Sequence, residues 1–174
     1  LRVGGAVSFA EPLQVITSGW EQESLIALWE RLNGGAIYVN RLDIPYRWSI
    51  YNWGFYLAYG AGIEAVVGPL SLDDAWIPTI GRLLTLGAAA AGVVVAYHSF
   101  GAVLGRQEPH PRPLTLAFAV LVMAGPLVGF WAITTRPDVS ALVLEIAAVA
   151  AYWRLRDRRP VTAVLVFCGL AYAA

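Results

Sequence analysis

Two apolar runs, 78–101 and 114–133, are each long enough to cross about 30 Å of hydrocarbon, and nothing else in the chain constrains its fold as strongly. A third run, 137–153, is shorter; it spans only with Pro137, Asp138 and Arg154 at the interfaces, and 161–174 begins a fourth. The 174 residues are 58% hydrophobic and 14% charged. A water-facing domain of this size has too much surface to hide that apolar fraction. The expectation is an all-α, polytopic transmembrane helical bundle with an external loop containing juxtamembrane helices.

Formal net charge is zero, so no case for nucleic acid can be built. All 12 basic residues are Arg. The single Cys168 excludes an intrachain disulfide and a cysteine-based zinc site. The chain opens without Met, charged n-region or cleavage site, so 1–16 is not a signal peptide. The expectation is the front part of a larger polytopic protein.

Residues 18–33 read as a helix: Ser18 and Glu21 have capping-box spacing, Leu25, Leu28, Trp29 and Leu32 share a face, and Asn33-Gly34-Gly35 stops it. Residues 36–50 are irregular, with Pro45 as breaker. In 51–67, Tyr51, Trp53, Phe55, Tyr56 and Tyr59 crowd together beside Glu64, which fits a helix lying at a membrane interface. Arg154, Arg156, Arg158 and Arg159 mark one turn as cytoplasmic. Counting back, residues 1–77 form an external loop ahead of membrane helices in 78–174.

The order of these pieces resembles the front half of the GT-C membrane glycosyltransferases, the group of protein O-mannosyltransferases and lipid A aminoarabinose transferases. The matching stretches are GWEQE (19–23), LNGGAIY (32–38), YNWGFYLAYGAG (51–62), Gly81-Arg82-Leu83-Leu84 and Arg136-Pro137-Asp138. The family places Asp in its first acidic motif; this chain has glutamates only. The resemblance implies an integral multi-pass protein of the bacterial cytoplasmic membrane, active in the cell envelope. It implies an inverting transfer of a sugar from a polyprenyl-phosphate donor to a lipid, glycan or protein acceptor on the external face. Glu21 is then the general base, with Glu23 second, because a base must reach the proton it removes. Arg82 and Arg47 are the phosphate-binding candidates. Arg136, Asp138 and Tyr51 complete the substrate-binding set.

Structural roles compete for each residue. Glu21 closes a capping box. Arg82 snorkels to headgroups. Arg47 is an ordinary loop arginine, and Asp138 caps a helix through its dipole. Tyr51 anchors at the interface. Glu145, mid-span, is a functional candidate by position alone. His98 and His110 have no partner at ligand spacing; no cofactor is evident and a divalent metal stays open. Two rivals remain: a transporter or flippase subunit, and a catalytically silent GT-C-like membrane protein.

Overall fold

A computed structural model describes residues 20–38, 51–104, 112–125 and 128–174. Among them are six α-helices: α1 Trp20–Leu32, α2 Trp53–Leu70, α3 Ile77–Leu104, α4 Arg112–Ala124, α5 Asp138–Leu155 and α6 Pro160–Ala173. Single 3-10 turns lie at Asp74–Trp76 and Trp131–Ile133, and no strand occurs among the described residues. The chain divides into two compact units, residues 1–86 with 133–137, and residues 87–132 with 138–174.

The first unit has a core of large side chains. Leu25 and Leu28 of α1 meet Phe55, Tyr56, Tyr59 and Ile63 of α2, joined by Ile77 and Ile80 from the first turn of α3. The Phe55 and Tyr59 ring centroids are 4.5 Å apart, within the range where aromatic pairs add to simple burial. α1 stops where sequence chemistry requires it. Gly34 takes φ +75, a left-handed conformation glycine adopts without a Cβ penalty, and the Gly35 N–H donates to the Glu30 carbonyl at 2.7 Å. α2 begins at Asn52, whose side chain accepts from the Gly54 N–H at 3.4 Å. It closes on Ser71 at φ 49, whose N–H reaches the Gly68 carbonyl.

The second unit reverses the usual distribution of sizes. Its buried hydrophobic residues are mostly Ala: Ala89, Ala96, Ala119, Ala132, Ala148, Ala150 and Ala163, with Met123 and Val139. On α3, Ala89, Gly92, Ala96 and Ser99 recur at helical spacing and are all buried. A Cβ on Gly92 would collide with the Met123 Cε, so that glycine is the seat of the methionine. Several large aliphatics are exposed instead. Leu114, Leu121, Val161 and Leu165 are each more than 60% exposed. Each leaves unclaimed about 1.5–3 kcal/mol of burial free energy.

The expected polytopic transmembrane bundle is corrected on this architecture. Among the described residues one helix, Asp74–Gly101, is long and apolar enough to cross a membrane, at mean hydropathy 1.7. The run 114–133 is not one span. α4 ends at Ala124, before Gly125-Pro126, because a residue preceding proline is pushed out of the helical region. α5 spends three of its 18 residues on Asp138, Glu145 and Arg154. The aromatics of α2 divide, with Trp53 exposed and the others inside. Phe55, Tyr56 and Tyr59 are buried, because the apolar stripe of α1 covers them. The all-α class stands; the multi-pass membrane architecture does not.

Candidate functional site

In the first unit, α1 puts Glu21 in its first turn and α3 puts Arg82 in its second. Both side chains have zero solvent exposure. Arg82 Nε donates to Glu21 Oε1 at 2.9 Å, and Arg82 Nη2 donates to Oε2 at 3.1 Å. This is a bidentate fork, the strongest pairing the two groups make. Oε1 accepts a third donor, the backbone N–H of Thr135, at 2.9 Å. One carboxylate therefore ties together two helices and a strap, residues 133–137, that lies far downstream in sequence.

The strap is seated by close approach. A Cβ at Gly81 would stand 2.6 Å from both Cγ2 and Oγ1 of Thr135, so only glycine lets the strap lie this near to α3. Thr135 Oγ1 also donates to the Pro78 carbonyl at 3.4 Å. One turn further along α3, Thr85 Oγ1 donates to the Gly81 carbonyl at 3.1 Å. That spends its only proton, so in its 3.0 Å contact with Tyr59 the phenol is the donor.

The other candidates are less closely joined. Arg136 is buried, with its guanidinium carbon 6.0 Å from the centre of the Tyr51 ring, at the outer limit of a cation–π contact. Tyr51 is half-buried, and its carbonyl accepts the Tyr38 hydroxyl at 2.7 Å. Tyr38 is half exposed, and partial desolvation of its phenol holds it above its ordinary pKa. Glu23 is half-buried, on a different side of α1 from Glu21, as two-residue spacing on a helix dictates. Asp138 is exposed and belongs to the second unit. Arg47 lies outside the described residues, as does His110. Among the described residues no group of three His, Cys, Asp or Glu side chains is placed to hold a metal ion.

Two contributors escape a reading of the sequence. The Thr135 amide is a backbone group, and backbone donors carry no residue signature. The Trp29 indole donates to Asp74 at 2.6 Å across 45 positions, a pairing that no local pattern encodes. The cost of an unpaired Arg82 is legible, and it implies that a partner exists without saying which.

No protein-family model matches this chain, no curated protein matches it, and no solved structure matches it. The resemblance to GT-C glycosyltransferases is corrected accordingly. Its short motifs occur in the expected order, but short motifs of common residues recur by chance. The sugar transferase reading, with its multi-pass placement in the bacterial cytoplasmic membrane, falls with it. So do the transporter, flippase and silent GT-C-like alternatives. Among the described residues, one helix of spanning length does not make the multi-span scaffold that such chemistry is built on.

Proposed function

We propose that this chain is a structural helical module that assembles with a second copy of itself through α6. The observation that carries this reading is the size distribution of the second unit, small residues inside and large aliphatics outside. Contiguous exposed apolar surface marks an interaction face. α6 has no charged residue between Pro160 and Ala173, and it exposes Val161, Val164, Leu165 and Tyr172 while Ala163 is buried. A neutral face meets no repulsion from its own copy, and a two-fold pairing uses the same patch on both partners.

A protein partner is favoured over hydrocarbon on two grounds. The 13 residues of α4 reach about 20 Å, against about 30 Å of hydrocarbon. Glu145, midway along α5, is exposed, and a carboxylate facing lipid is costly. In this reading the Glu21–Arg82 pair is a clasp that holds the first unit together.

Cys168, the single cysteine, is exposed on α6 and serves as a native crosslinking probe. Light scattering after gel filtration is expected to give a dimer, oxidation a disulfide-linked dimer through Cys168, and Leu165→Glu a monomer that no longer crosslinks. A monomer without crosslinking at high concentration refutes the proposal. So does flotation with neutral vesicles that Leu165→Glu abolishes, an outcome that assigns the face to a bilayer.

A further inference from the structure

The second unit contains a cleft of about 410 Å³ between α3 and α5, within the usual range for small-molecule sites, about 300–1,000 Å³. Its walls are aliphatic: Val94 and Val95 on α3, and Ala147, Ala150 and Ala151 on α5. Its polar end is made by His98, Ser99 and Arg154. The alanines leave the space; a larger residue at those positions would fill it.

The polar end has a definite sign. Arg154 is exposed and donates through Nη2 to the His98 carbonyl at 3.1 Å. That bond fixes the guanidinium over the cleft and uses one of its five N–H groups. No described residue places a carboxylate against it; Asp157 in the following turn pairs with Arg156 instead, at 3.4 Å. Ser99 has committed its proton to the Val95 carbonyl at 2.6 Å, so the donors left for a ligand are Arg154 and the His98 ring. Residues 154–159 carry four arginines and one aspartate, so the field at this end attracts anions. The nearest carboxylate on the walls' own helices, Glu145, is nine residues from Arg154, roughly 13 Å along the axis.

We infer that this cleft binds an anionic group, carboxylate or phosphate, carried on an aliphatic chain, with Arg154 clamping the anion and the alanine and valine walls covering the chain. Arginine's planar fork suits both anions. Neither the clasp of the first unit nor pairing through α6 is required for this site.

The probe is decanoate below its micelle concentration, titrated calorimetrically into the whole chain, with decanol and decyltrimethylammonium as controls. Saturable one-to-one binding of decanoate is expected, with decanol weaker and the cation silent. Arg154→Gln is expected to weaken binding roughly tenfold, the value of a charge-assisted hydrogen bond. Ala151→Met, which narrows the cleft without removing charge, should weaken it too. Arg154 is exposed, so its substitution leaves the fold intact, as circular dichroism will verify. Flotation with vesicles of anionic or zwitterionic phospholipid separates the two sources. Arg154-dependent binding to anionic vesicles alone assigns the anion to a lipid headgroup, and binding of decanoate assigns it to a free acid. Failure of both, equal binding of decanol, or no effect of Arg154→Gln overturns the inference.

Discussion

Replacing Arg82 with Met is the most direct test of the clasp. Met fills much of the same space but removes the charge, leaving the Glu21 carboxylate at zero exposure with two of its three described donors gone. Removing one partner of a buried ion pair typically costs about 3–5 kcal/mol. For a chain of this length a kilocalorie shifts Tm by about 2–4 °C, so the expected fall is roughly 6–20 °C by thermal circular dichroism. Hydrogen exchange adds a local reporter. The Thr135 amide donates to Glu21, so its protection should drop in Arg82→Met. The double variant Glu21→Leu with Arg82→Met removes both charges and should recover most of the loss, since replacing a whole buried pair by apolar residues is often neutral. The reasoning is refuted if Arg82→Met stays within about 1 kcal/mol of the parent while Thr135 exchange is unchanged. The pair would then hold nothing together, whatever its geometry.

Three further outcomes are expected. Gly81→Ala places a methyl 2.6 Å from Thr135 and should cost about 1–3 kcal/mol through overpacking, read as a lower urea midpoint. Met123→Ala empties a fully buried position beside Gly92 and should cost about 2–5 kcal/mol, measured the same way. Tyr38 has a raised pKa in the folded chain. Its contribution is therefore fully present below the unfolded phenol value of about 10 and is lost as pH rises through the higher folded value. Urea unfolding across that window should show a steeper loss for the parent than for Tyr38→Phe; parallel curves would contradict it.

Some helix ends are legible in the sequence. Asn33-Gly34-Gly35 announces a helix end, and Gly34 takes the left-handed conformation that such an end uses. Gly125-Pro126 announces another, but summed hydropathy over 114–133 outweighs it. Hydropathy also counts how apolar a segment is without knowing which residues face in. It cannot distinguish an alanine-lined interior with valines and leucines outside from a lipid-bathed span. The aromatic cluster at 51–59 shows the same ambiguity, since rings suited to a headgroup region are equally suited to a core that α1 covers. Glu21 and Arg82 each stood out as notable, but their meeting spans 61 positions, and contacts of that separation follow from the fold. Arg136-Pro137-Asp138 looked like one motif; the boundary between the two units falls inside it, after Pro137.

The strap also sets a timetable. Glu21 precedes its amide donor, Thr135, by 114 positions. At about 5–20 residues per second of synthesis, the acid waits on the order of ten seconds for the stretch that completes its surroundings. The first unit is thus finished by material made after the first half of the second, and a chain arrested near residue 130 carries both members of the ion pair but lacks the backbone donor that closes over them.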